Sequence, residues 1–340
     1  MTTFKAVIYD YMIHKLGGGQ KVACFIASIL AEQNDVYLVV EDNTLIPFLE
    51  KSYSVDLSRV KTVSLSKVSS IGDIDLFFNA EHAYWVSPPK RSIRKLMYCQ
   101  FPLPLTRPSA LNEYEKIFAN STFSQKWIKK MWNRDSEILE LFHNIPESSS
   151  KIEKEDIILS VSRIDVNKQQ TTMAKIFLES DLKDKYKFVI IGDSSWSAPY
   201  VSGLRSIVER SQGSIQLLLD LPFSEVVNWY RRAKVFWHIE GLGVSEARSP
   251  SLFQHFGLVT AEAMASGAVP VVFKGGGHLD IITDGEDGFL IETPDELVQK
   301  TKRLLEDDSL RERIQLKALE RSRHYNLSAF RERLYNALQS

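Results

Sequence analysis

Glu262 lies in a run, Leu258 to Ser266, that is otherwise made of good helix formers, with small Ala263, Ala265 and Ala268 close by. A helix so lined can press against a sheet, and a carboxylate buried there needs a partner because a lone buried charge is costly. Gly257, just before the run, permits a tight entry into the helix, and Gly267 ends it. Free amides at a helix start attract anions. A ligand that offered hydroxyls to Glu262 and phosphate or sugar oxygens to the helix start would satisfy both. The alternative is an ordinary amphipathic helix with one exposed glutamate. Two glycine runs, Gly17-Gly18-Gly19 and Gly275-Gly276-Gly277, and the cations Arg163 and Lys168 complete the set of residues with chemical potential.

The elements that must hold these residues alternate along the chain. A buried strand over Phe4 to Tyr9, the first glycine run, an amphipathic helix from about Gln20 to Glu32 and a strand over Val36 to Val40 make a βαβ opening for a parallel sheet. The consecutive glycines are not a dinucleotide fingerprint; they serve either a tight connection or the close approach of bare backbone to a ligand. Strands follow at Val60 to Leu65, Leu76 to Asn79, Leu96 to Tyr98 and Lys116 to Asn120. A polar stretch, Glu147 to Asp156, reads as a linker, and a second series begins with the strand Ile157 to Ser162. Its helices include one from about Gln170, one over Ala198 to Arg210, and one over Ser224 to Arg232 capped by Ser224. Two doubly wound α/β halves result. Gly17 to Gly19, Arg163 and Lys168, Glu262 and Gly275 to Gly277 all follow strands, so they can converge where such sheets bind ligands, at the carboxyl ends.

Composition narrows the class. The 340 residues suffice for two domains, and 44% hydrophobic with 25% charged residues is ordinary for a globular protein. A net charge of −1 argues against general nucleic-acid binding. Cys24 and Cys99 supply neither a disulfide framework nor metal spacing, which fits a reducing cytoplasm. No signal peptide is read at the N-terminus, and the longest apolar run, Val22 to Ala31, is too short to span a bilayer.

Asp73-Ile74-Asp75 resembles an acidic metal pair, but two carboxylates alone rarely hold a divalent ion, and polar residues are expected just before a strand. The segment Lys90 to Arg134 is strongly basic. Within it Phe123, Trp127, Ile128, Met131 and Trp132 fall at helical spacing beside Lys126, Lys129 and Lys130. That pattern suits either a helix lying on an anionic membrane surface, with contact through 122–132, or a core-facing helix with solvated lysines.

With these motifs in place, the chain resembles the family 4 retaining glycosyltransferases (glycosyl transferases group 1) over nearly its whole length. The glycine run with its helix, the segment Ala119-Asn120-Ser121-Thr122-Phe123-Ser124, the pair Arg163 and Lys168, and the stretch from Trp237-His238 through Phe256-Gly257 to Ala263-Met264-Ala265-Ser266-Gly267 carry the likeness. It implies an α/β, GT-B architecture: two Rossmann-like doubly wound domains facing across a cleft. The expected domains are an acceptor-side domain over 1–147, with a C-terminal helix, 325–340, packing back on it, and a donor-binding domain over 148–324.

The likeness also implies roles. Arg163 and Lys168 would hold the donor diphosphate and stabilise its charge as the sugar departs, with no metal and no other cofactor. Glu262 would accept hydrogen bonds from the ribose hydroxyls. Phe256, Gly257 and Leu258 would orient donor oxygens through backbone amides, and Gly18 and Gly19 would border the donor from the first domain. Two departures stand out. The family's paired glutamates read here as Gln254 and Glu262, so Gln254 would meet the donor sugar without a negative charge. The family's "HFP" histidine reads here as Gln100-Phe101-Pro102, leaving His82 either as a nearby catalytic substitute or as a structural histidine. The expected activity is metal-independent, retaining transfer from a UDP- or GDP-sugar to a glycan or lipid-linked glycan, in the cytoplasm at the inner membrane face, with no nucleic-acid partner. The rival is an inactive glycosyltransferase-like subunit that binds a partner enzyme or a glycan, and Gln254 and Gln100 are its support.

Overall fold

The computed structural model describes residues 3–15, 17–80, 87–104, 108–146 and 153–339. It divides into two compact units, one running to Leu141 and taking in Phe330 onward, the other spanning Phe142–Ala329. The division thus comes ahead of residue 147, where the polar linker was expected. His143 explains the difference: its N–H bonds to Tyr325 O at 2.7 Å and it forms a parallel bridge with Asn326, which ties this segment to the second unit.

In the first unit the order is β1 (Lys5–Tyr9), α1 (Gly18–Ala31), β2 (Asp35–Val39), α2 (Leu45–Tyr53), β3 (Lys61–Val63), β4 (Ile74–Asn79), β5 (Ser92–Cys99), β6 (Lys116–Ala119), α3 (Thr122–Trp132) and β7 (Glu137–Ile138). The strands pair in parallel in the order β3-β2-β1-β4-β5-β6-β7. Strands covered on both faces must be apolar almost throughout, and Ala6, Val7, Ile8, Phe77 and Phe78 are fully buried. The α3 aromatics face this core: Phe123, Trp127 and Ile128 are buried, with Phe123 and Trp127 against Phe101. Lys126, Lys129, Lys130 and Met131 remain on the outer side, where Lys129 pairs with Asp135 at 2.9 Å. Asp75, in β4, accepts the N–H of Lys5 at the start of β1 at 2.7 Å, joining two neighbouring central strands.

The second unit runs β8 (Glu155–Val161), α4 (Gln170–Glu179), β9 (Lys187–Gly192), α5 (Ala198–Glu209), β10 (Ile215–Leu219), α6 (Phe223–Arg232), β11 (Ala233–His238), α7 (Leu258–Ala265), β12 (Val269–Phe273), α8 (His278–Ile281), β13 (Phe289–Ile291), α9 (Pro294–Glu306) and α10 (Asp308–Ser322). Its parallel sheet has the order β10-β9-β8-β11-β12-β13. Phe177, Phe188 and Trp237 meet in its core, and the Trp237 indole N–H bonds to Thr301 Oγ1 at 2.8 Å. Ser224 does not cap α6: the helix begins one residue earlier, after Pro222, so Ser224 lies inside its first turn. The last helix, α11 (Leu327–Gln339), returns to the first unit from Phe330. There Phe330 and Leu334 are fully buried, Arg331 pairs with Glu32, and Tyr335 Oη donates to Ile29 O at 3.3 Å.

Candidate donor site of the second unit

In the second sheet the strand order reverses between β8 and β11, which sit side by side although β9 and β10 intervene in the chain. Chain segments leaving two such strands diverge, and the gap at their carboxyl ends is where ligands bind in open parallel sheets. The segment after β8 carries Arg163 and Lys168; the segment after β11 carries Glu240 and Gln254.

Asp165 builds the first of these segments. Its Oδ1 accepts the N–H of Asn167 at 2.9 Å and so caps the short turn Val166–Lys168. Gln170, fully buried, ties the turn down by donating to Ser162 Oγ at 2.7 Å and to Arg163 O at 2.6 Å. The Arg163 guanidinium lies over the Trp196 ring, 4.1 Å from its centre. The Lys168 ammonium reaches across the strand-order reversal to Glu240 Oε2 at 2.5 Å and Gln254 Oε1 at 2.9 Å.

Gln254 is fixed by its own backbone. Its carbonyl accepts the Gly277 N–H at 2.7 Å, so the chain before α7 runs directly against the glycine loop. A Cβ on Gly276 would stand 2.1 Å from Gln254 O, and one on Gly277 would stand 2.4 Å from the Cα of Phe256. Gly276 and Gly277 therefore serve chain-to-chain contact. Gly257 takes φ +114° at the start of α7, a conformation strained for any side chain. Glu262 sits one turn into α7, 6% exposed, and accepts from Tyr230 Oη at 3.3 Å. Burial, and then the Glu262 charge, raise the Tyr230 hydroxyl's pKa and keep it a donor.

Behind the site stand two buried histidines. His238 ends β11 and meets His278 edge to face, with ring centres 5.2 Å apart. His278 Nδ1 lies 3.0 Å from Phe273 O, an acceptor, so that nitrogen carries the proton. Both are held neutral: burial chiefly, then His278 and the Lys168 charge, push His238 well down, and burial brings His278 to about 4.

Lys168 and Gln254 are thus in direct contact, and Arg163, Phe256, Gly257, Leu258 and Glu262 lie in the same unit. Gly18 and Gly19 belong to the other unit and open α1. A Cβ on Gly19 would fall 1.6 Å from Gln100 Nε2, so the Gln100 amide covers this glycine. His82 lies outside the described residues. Glu240, Trp196 and Tyr230 were not foreseen as site residues. The available signal was a carboxylate two residues beyond a buried strand.

Residues 142–321, just over half of the chain, match the family described as glycosyl transferases group 1. The chain belongs to that family. This group 1 glycosyl transferase is 27% identical over 192 residues to an undecaprenol-linked-glycan alpha-1,4-N-acetyl-D-galactosaminyltransferase of Campylobacter jejuni, a match covering 54% of this chain and 48% of that protein. The chain spans about half or less of the length of the curated relatives it matches. Among solved structures, a glycosyltransferase from Rickettsia africae is similar with a TM-score of 0.78 at 15% identity, covering 99% of this chain and 98% of that one. HepE of Anabaena, in complex with UDP-glucose, is similar with a TM-score of 0.77 at 17% identity, covering 99% of each chain. The two parallel-sheet units are those of the GT-B fold. No helix among the described residues is long and apolar enough to cross a membrane.

Proposed function

We propose that this glycosyl transferase moves a sugar, with retention and without a metal, from a UDP- or GDP-sugar to a glycan or lipid-linked glycan acceptor. The observation that carries the reading is the meeting of Lys168, Gln254 and Glu240 where the second sheet reverses its strand order, with Arg163 on the same segment after β8 as Lys168. Arg163 and Lys168 hold the diphosphate, and Glu262, one turn along α7, takes the ribose hydroxyls. The acceptor oxygen bonds to the anomeric carbon on the face that the diphosphate leaves. The electron pair of the breaking bond departs with the diphosphate, whose charge the two cations stabilise, and a phosphate oxygen takes the acceptor's proton. The C. jejuni relative's undecaprenol-linked substrate supports a lipid-linked acceptor, and the outer edge of α3, with Lys126, Lys129 and Lys130, is our candidate contact with an anionic membrane surface on the cytoplasmic side.

A second reading, a non-catalytic subunit that binds a partner enzyme or glycan, draws on Gln254, whose oxygen is already committed to Lys168. Calorimetry with UDP and GDP decides between them. Binding of either nucleotide, together with hydrolysis of a matching nucleotide sugar, supports the enzyme; no heat from either at millimolar ligand sinks it.

A further inference from the structure

An ammonium has three N–H donors and no acceptor. Lys168 uses two of them, on Glu240 Oε2 at 2.5 Å and on Gln254 Oε1 at 2.9 Å. The third remains for a ligand. The contact also fixes the Gln254 amide, because only its oxygen can face a pure donor. Its N–H2 group must then lie at the opposite corner of the amide plane. Gln254 is half-buried. Beyond these two contacts the groups this cluster has to offer are donors: one Lys168 N–H, the Gln254 N–H2 and the Arg163 guanidinium. Its one negative charge, on Glu240, is 5% exposed. A carboxylate that deep is retained at a cost unless it serves the cation beside it.

We infer that Glu240 is the positioning residue for Lys168 and sets the charge of the diphosphate clamp, and that Gln254 is neutral because the carboxylate on Lys168 comes from 240. The inference rests on the reading of Arg163 and Lys168 as diphosphate holders. One carboxylate on Lys168 leaves the clamp of Arg163, Lys168, Glu240 and Gln254 at a net charge of +1. None would leave it at +2 and two at zero. The same net charge results whether the carboxylate sits at 240 or at 254.

Calorimetric titration of UDP and GDP into the full chain at low salt tests this, with melting temperature recorded for every variant. Glu240→Gln still offers an oxygen to Lys168, so position is kept and a negative charge is lost. UDP should bind about fivefold more tightly, the effect of one charge acting over several ångströms of screened medium. Gln254→Glu should weaken binding by a similar factor, and the Glu240→Gln/Gln254→Glu exchange should return to within about twofold of wild type. Glu240→Asp keeps the charge but withdraws it by one methylene; Lys168 follows, and UDP should bind more weakly with the charge unchanged. A purely structural glutamate would give no opposite signs for Gln and Asp at one position. Wild-type binding with Glu240→Gln and Glu240→Asp both unaltered overturns the assignment alone. So does an exchange variant that stays as far from wild type as its worse parent. A wild type that binds neither nucleotide overturns the diphosphate reading, and this assignment with it.

Discussion

Arg163 and Lys168 are five residues apart, yet their surroundings make them unlike. Arg163 stacks on Trp196, which is 37% exposed, and Arg163 itself is half-buried. Lys168 faces a carboxylate whose side chain is 7% exposed. Removing an accessible cation costs little stability, whereas removing the partner of a buried charge strands that charge, at a cost of about 3–5 kcal/mol. Arg163→Ala should accordingly lose nucleotide affinity by tenfold or more while its melting temperature stays near wild type. Lys168→Ala should lose both, and Lys168→Ala/Glu240→Leu should recover stability without recovering binding. Urea denaturation and calorimetry on the same three proteins check this; an Arg163→Ala protein that unfolds early would contradict it. At this scale the sequence pattern was strong for Arg163, Lys168 and Glu262, whose types and spacings are distinctive. It was silent on Glu240. A carboxylate two residues after a strand is common, and only the packing of β8 beside β11 brings it to Lys168.

The elements explain why glycine recurs where no ligand is needed. Gly276 and Gly277 lie under the backbone of residues 254–256 at distances that no Cβ could occupy. Gly277→Ala should therefore push the segment before α7 outward and destabilise the second unit by about 1–3 kcal/mol or more, as overpacking does. The same shift moves Gln254 away from Lys168, so nucleotide affinity should fall with stability; unchanged binding in a destabilised Gly277→Ala would separate the loop from the site. Periodicity located several elements well: the strand expected over Phe4 to Tyr9 runs Lys5–Tyr9, and the helix expected over Ala198 to Arg210 runs Ala198–Glu209. It gave no reading of α2, whose Pro47 occupies the first turn, which needs no N–H from it. It also misread Ser224 as a cap, because Pro222 takes the cap position and the helix begins at Phe223. The aromatic face of α3 illustrates a limit of a different kind. Its spacing is the same whether Phe123 and Trp127 face a membrane or a sheet, and only the partner Phe101, twenty-two residues before Phe123, distinguishes them.

At the scale of the whole molecule, stability should depend on pH through His238 and His278. In the unfolded chain each titrates near the ordinary 6.5; folded, burial brings His278 to about 4 and pushes His238 well below its ordinary value. Below pH 6.5 the unfolded chain thus takes up protons that the folded one refuses. Stability is therefore full above about 6.5 and is lost as the pH falls toward 4. For His278 alone the loss between pH 7.5 and 5 is on the order of 2 kcal/mol. Urea midpoints measured across that range should show the slope, and His278→Asn, whose amide nitrogen can replace Nδ1 on Phe273 O, should reduce it. A slope unchanged in that variant would move the effect to other groups. The parallel sheets of both units were legible from the alternation of apolar strands and amphipathic helices. The division at Leu141 was not, because it depends on the pairing of His143 with Asn326, 183 positions further along.

Trp196 has a further use. Its indole is the platform for the guanidinium that the proposed donor engages, and it is wet, whereas Trp237 in the same unit is dry. An indole's emission responds to a cation drawn off its face, so the protein carries its own optical gauge of occupancy. Titrating UDP should change the intensity of the red-shifted emission component, a Trp196→Phe protein should lose that response while still releasing heat, and the signal of the enclosed Trp237 should stay constant as an internal reference.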